Sequence, residues 1–159
     1  MRSDEEVKQA IERYSDTVKR LCVLHLKNET DAQDIFQTVF VKYALHTGYF
    51  ESKEHERAWI IRVTINACKD VLKSVFHSRT VSLEIVEQLP DVLSQHHKEV
   101  LEKVLSLPER YRRVIYLRYY EGDTAPEIAT ILNKNVNTIY TLLSRGKNIL
   151  KQELEGYFD

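Results

Sequence analysis

The chain has 159 residues, 43% of them hydrophobic and 30% charged, with a formal net charge of −1. That length buries enough surface for a core without covalent staples, the composition argues against disorder, and few Gly and Pro argue against turn-rich β architectures. The two cysteines, Cys22 and Cys68, sit in no metal-ligand spacing, no apolar run nears the ~18 residues of a membrane span, and MRSDEEVKQA lacks the apolar stretch of a signal peptide, so the sequence reads as cytoplasmic.

Val7, Ala10, Ile11, Tyr14, Val18, Leu21 and Cys22 recur at the spacing of an amphipathic helix. Thr30 and Gln33 form a T-x-x-Q capping box that predicts a second helix. It should bury Ala32, Ile35, Phe36, Val39, Phe40 and Tyr43 and stop near Gly48. A third helix is expected from about Glu54 to Phe76. Between Arg79 and His97 the periodicity weakens and Pro90 interrupts it, which reads as a linker. Helical spacing resumes over 98–107 with Val100, Leu101, Val104 and Leu105. Pro108 opens the next helix where its missing N–H costs nothing, and Gly122 suits a left-handed cap at the end. Thr124 to Glu127 is a second box, T-x-x-E, opening a short helix through Ile128, Ala129, Ile131 and Leu132. Asn133 suits a left-handed turn, and Asn135 or Asn137 can cap the last long helix. Every segment reads as helix. The expected fold is all-α: a first helical domain over 1–78, a linker over 79–97, and a second helical domain over 98–159 containing a helix-turn-helix.

The near-neutral total hides a segregated charge. Residues 57–79 hold Arg57, Arg62, Lys69, Lys73 and Arg79 against Asp70, and residues 134–151 hold Lys134, Arg145, Lys147 and Lys151 with no acid. Between them, residues 81–99 carry Glu84, Glu87, Asp91 and Glu99 against Lys98. Two basic patches flanking an acidic stretch fit a polyanion touched in two places, or simply two solvated helix faces.

Three surfaces could carry function. On the third helix, Arg62, Asn66, Lys69 and Lys73 share one face opposite a buried row of Ile61, Ile65, Cys68 and Leu72, with Trp59 one turn before Arg62. Stacking ring, cations and a side-chain amide are what single-stranded nucleic acid requires; the plainer alternative is a wet helix face with the Trp folded inward. In the helix-turn-helix, Ile139, Leu143 and Leu150 face the core and leave Asn137, Thr138, Tyr140, Thr141, Ser144 and Lys147 outward, with Arg145 at the flank. Those types can reach base edges and phosphates in a major groove, although a plain helical hairpin has the same outline. On the second helix, Asp31, Asp34, Gln37, Thr38 and Lys42 lie outside the Phe36/Phe40 stripe. The acids there suit a helix N-terminus, and the strip also suits a protein partner.

The segments DAQDIFQTVFVKY (31–43), ERAWIIRVTINACKD (56–70) and LPERYRRVIYLRYYEGDTAPEIATILNKNVNTIYTLLSRGKNIL (107–150) resemble those of extracytoplasmic-function sigma factors, the small bacterial initiation factors that keep only sigma domains two and four. The resemblance spans nearly the whole chain. It implies binding to core RNA polymerase, recognition of an upstream promoter element by the helix-turn-helix, melting of the downstream element by the N-terminal domain, and control by an anti-sigma factor. It implies a polymerase-clamp role for Asp31, Asp34 and Gln37, and extends it to Thr38 and Lys42 beside them. Trp59, Arg62 and Asn66 match the W-x-x-R/K-x-x-x-N run, with Asn66 at the base-capturing position and Lys69 and Lys73 on the same strand path. Thr124, Asn137, Thr138, Tyr140, Thr141, Ser144, Arg145 and Lys147 fall in the matching helix-turn-helix. The chain departs from the usual pattern at Asn133, where Gly is common, and at Tyr140 and Leu142, where cations are habitual. Gly146 is expected to weaken its helix by ~1 kcal/mol relative to Ala.

Two other classes fit the residues less well. A helix-turn-helix repressor or activator acting without polymerase would leave the 31–43 motif without a use. An enzyme would need a constellation the chain lacks: His96-His97 sits in acidic context without ligand spacing, and Cys22 with His25 fits the core and boundary of a helix better than nucleophile and base. No metal or cofactor is expected, and no membrane insertion.

Overall fold

In the computed structural model, which describes residues 1–26, 29–74 and 95–153, the first apolar stripe forms α1, Asp4–His25. Ser3 caps it, its hydroxyl accepting the Glu6 N–H at 3.2 Å, and Asp4, Glu5 and Glu6 place negative charge against the helix dipole. Helix α2 spans Glu29–Leu45 and α3 spans Lys53–Ser74. Helix α2 is already under way at Glu29, so Thr30 lies inside it and the expected T-x-x-Q box does not cap its start. An N-cap residue needs non-helical backbone, and Thr30 has none to offer.

Each of these helices packs on the other two. Ala10, Tyr14, Val18 and Cys22 of α1 meet Ile35, Val39, Phe40 and Tyr43 of α2 and Ile60, Ala67 and Cys68 of α3 in one apolar core. Ala32 and Phe36 are only half-buried at its edge. Both cysteine side chains are fully enclosed.

The chain divides into two units, Met1–Ile85 and Val86–Asp159. The second unit holds α4 (Gln95–Ser106), α5 (Glu109–Tyr119), α6 (Ala125–Leu132) and α7 (Val136–Glu153). Helix α4 starts three residues before the expected 98, taking in Gln95, His96 and His97; apolar periodicity marks a helix only from its first buried residue. The rest of the expected linker, and Phe76, lie outside the described residues. Pro108 is the N-cap of α5 rather than its first helical residue, and its carbonyl accepts the N–H groups of Tyr111 and Arg112, each at 3.0 Å. The buried Arg112 donates from Nη1 to the Leu105 carbonyl at 3.1 Å, tying the end of α4 to α5.

Helices α5 and α7 form the main contact of this unit, with α6 packed against both. Gly146 lies buried there: a Cβ on it would stand 3.1 Å from Ile115 Cγ1 and 3.2 Å from Tyr111 Cβ. The residue expected only to weaken α7 thus lets two helices approach closely.

Candidate nucleic-acid and polymerase interfaces

The outer face of α2 carries Asp34, Gln37, Thr38 and Lys42, all exposed, with Asp31 half-buried at the helix start. Two apolar residues at the C-terminal end of this strip were not among those expected from the sequence. Val41 and Leu45 are 57% and 61% exposed and share a sector with Asp34 and Thr38 at i, i+4, i+7 and i+11. Their signal was legible as apolar residues outside the Phe36/Phe40 stripe. Exposed apolar residues bordered by polar groups are the makings of a protein-binding patch.

On α3 the polar row lies as expected: Asn66 is exposed, and Arg62 and Lys69 are half-exposed. Lys73 continues the helix, and its side chain lies outside the described residues. Trp59 sits between the two positions foreseen for it. It is partly buried, 4.7 Å from the His46 ring, 5.7 Å from Phe50 and 6.2 Å from Tyr43, edge-on to the last. An aromatic cluster therefore packs against the indole and leaves it partly exposed, one helical turn before Arg62.

Beneath this cluster Glu56 joins all three helices. It accepts hydrogen bonds from Tyr14 of α1 at 2.8 Å and Tyr43 of α2 at 2.9 Å, and pairs with Arg13 at 2.9 Å. Burial opposes its ionisation, but the two tyrosine hydroxyls and the charges of Lys53 and Arg13 outweigh it and hold the carboxyl below its usual value. Burial and the bond to Glu56 in turn push the Tyr43 hydroxyl up to about 12, and Tyr14 rises for the same reasons.

In the second unit the C-cap of α5 is Tyr120, in right-handed conformation, not Gly122; Gly122 takes the left-handed φ of 77 two residues later, in the turn where the Asp123 N–H donates to the Leu117 carbonyl at 2.9 Å. The capping box of α6 is complete: Glu127 N–H donates to the Thr124 hydroxyl at 3.3 Å, and Thr124 N–H donates to Glu127 Oε1 at 3.0 Å. Thr124 is therefore chiefly an architectural residue of the candidate site. Asn133 adopts φ 54, ψ 52, the left-handed turn between the helices. Of the two possible caps for α7 it is Asn135 that serves, its Oδ1 accepting the Asn137 N–H at 2.8 Å. This geometry leaves Asn137, Thr138, Tyr140, Thr141, Ser144, Arg145 and Lys147 exposed along α7, with Ile139 and Leu150 in the core. Leu143 is half-buried. Thr141 spends its hydroxyl proton on the Asn137 carbonyl at 3.0 Å and keeps only acceptor capacity outward. Arg145 lies beside the Tyr111 hydroxyl, whose pKa is lowered by the hydrogen bond from Arg110 and further by Arg145.

A capped helix, a left-handed turn and a second helix with a polar outer face define a DNA-binding helix-turn-helix; a three-helix unit with an aromatic-and-amide face accompanies it. Residues 10–75 match the family described as Sigma-70 region 2, and residues 97–150 match Sigma-70, region 4. The chain belongs to the extracytoplasmic-function sigma factors of the sigma-70 family, and as such is a transcription initiation factor that directs RNA polymerase. It is similar to the ECF RNA polymerase sigma factor SigW of Bacillus subtilis (strain 168), 26% identical over 158 residues that cover 89% of this chain and 84% of that protein. It is 29% identical over 137 residues to RNA polymerase sigma factor SigV of the same organism, covering 85% of this chain and 82% of that one. Among solved structures, that of CnrH in complex with the cytosolic domain of CnrY shares the fold, with TM-score 0.69 and 22% identity over 98% of this chain and 91% of that one. Among the described residues no helix is long and apolar enough to cross a membrane.

Proposed function

We propose that this sigma factor divides promoter recognition between its two units and engages the polymerase through α2. The observation that carries the reading is the exposed polar face of each reading helix: Asn66 with Arg62 and Lys69 beside the half-held Trp59 on α3, and Asn137 to Lys147 on α7. In the first domain, over 1–78, Trp59 stacks on an unpaired base, Asn66 offers donors and an acceptor to a base edge, and Arg62, Lys69 and Lys73 neutralise the melted strand. In the second, over 98–159, α7 enters the major groove of the upstream element, with Thr124 fixing the first helix of the motif. Asp31, Asp34, Gln37, Thr38 and Lys42, with Val41 and Leu45 among them, form the surface for core polymerase. The chain works by binding rather than catalysis, in the cytoplasm beside the DNA, and is held in check by an anti-sigma factor.

The reading is tested with reconstituted core enzyme on a cognate promoter. Asn66→Ala should lower permanganate reactivity of the downstream element while leaving duplex binding near wild type. Asp34→Ala combined with Gln37→Ala should weaken core association at unchanged helix content. Equal footprints for Asn66→Ala and wild type, or unchanged core binding by the folded double variant, would refute the corresponding assignment.

A further inference from the structure

The loop joining α2 to α3 runs from His46 to Ser52 and contains Gly48 and the 84%-exposed Tyr49. A cleft of about 410 Å³ opens between it and α1, lined by Glu6, Arg13, Thr47, Tyr49, Phe50 and Glu56 among others. Arg2 bridges the gap. Its guanidinium lies 4.8 Å from the centroids of both the Tyr43 and Phe50 rings. From Nη2 it donates to the Gly48 carbonyl at 2.7 Å, and Nη1 pairs with Glu6 at 3.2 Å. Its backbone N–H donates to the Ala44 carbonyl at 2.8 Å, near the end of α2. The planar guanidinium can lay its flat face toward a ring and keep its forked donors in plane for two other partners, whereas an ammonium must turn one of its three N–H groups toward the ring. Phe50, so held, packs on Trp59, His46 and His55.

We propose that Arg2 is a positioning residue for the melted-strand surface: it clamps the 46–50 loop and, through the Phe50 ring, sets the placement of Trp59. This rests on the reading of that surface given above. Arg2 is 46 residues from Gly48 in sequence and lies outside every motif of the resemblance, so only the folded chain brings it to the site.

The chain has one tryptophan, so the emission of Trp59 reports on the cluster directly. Arg2→Met keeps the aliphatic stem and removes the cation and the fork. It should raise acrylamide quenching of Trp59 about twofold as the ring cluster loses its cation and loosens, and Arg2→Lys should restore part of the protection. On a promoter with core polymerase, Arg2→Met should reduce permanganate reactivity of the downstream element while core association stays at wild type. In a Phe50→Leu background the same change should add little, because the route runs through that ring. Unchanged quenching in Arg2→Met, or an equal increment in the Phe50→Leu background, overturns the clamp. Raised quenching with a wild-type footprint, while Asn66→Ala lowers the footprint, overturns its link to melting. If Asn66→Ala also leaves the footprint at wild type, the melted-strand reading itself has failed and the positioning role falls with it.

Discussion

Tyr140 stands where the family habitually carries a cation, and it is 55% exposed on the outer face of α7 among Asn137, Thr138 and Thr141. A tyrosine offers a ring for a thymine methyl and a hydroxyl for a phosphate, but no charge that releases counterions. If it reads a base, Tyr140→Lys should raise non-specific affinity, steepen the salt dependence by about one unit of log–log slope, and cost ~1–3 kcal/mol of discrimination at one or two upstream base pairs. Competition binding of the polymerase complex to matched and mismatched upstream sequences measures this. An unchanged ratio would leave Tyr140 a neutral surface residue. The outward set on α7 was legible because helical periodicity alone sorts that face. Trp59 was not, since its gripping partners His46 and Phe50 lie on a loop whose path no periodicity describes.

At the scale of elements, capping chemistry was the most readable signal. The Thr124 box, the left-handed Gly122 and Asn133, and the side-chain cap of α7 all depend on residues within three or four positions of one another. The same rule missed the start of α1, where Ser3 and Glu6 form an equally plain S-x-x-E, and it misplaced Thr30 because several neighbouring residues suit a helix start. Gly146 shows the limit of propensity reasoning. Its helical cost relative to Ala, ~1 kcal/mol, is set against a contact that any Cβ would crowd. Gly146→Ala should therefore change stability little, the propensity gain offsetting the strain against Ile115 and Tyr111. Gly146→Val, larger and β-branched, should destabilise the second unit by about 1–3 kcal/mol through overpacking. Urea unfolding of both variants checks the contrast, and equal stabilisation by both would show that α5 and α7 can part at no cost.

For the molecule as a whole, the Glu56 network has a consequence that no local pattern announces, because Tyr14 and Glu56 are 42 residues apart. Glu56 ionises more readily folded than unfolded, so its contribution is present above the unfolded value, about 4.3, and is lost as pH falls through its lower folded value. Tyr43 carries the opposite sign. Its folded value of about 12 lies above the unfolded one near 10, so its contribution holds below about pH 10 and is lost as pH rises toward 12. Stability of the first unit should thus fall at both extremes. Glu56→Gln should flatten the acid arm and cost about 1–3 kcal/mol at neutral pH, the scale of breaking buried hydrogen bonds to a charged group. Denaturant midpoints against pH, read through Trp59 emission, test this; an unaltered acid arm would locate the proton uptake elsewhere.

The enclosed thiols of Cys22 and Cys68 make the chain its own chronometer. Both belong to the first unit, and the second has none. A thiol-specific reagent can therefore react only when that one unit opens, and the labelling rate counts its openings whatever the other half of the chain is doing. Added core polymerase, DNA or an inhibitory protein that grips the first unit would slow that clock, while one that grips only the helix-turn-helix would leave it running at the same pace.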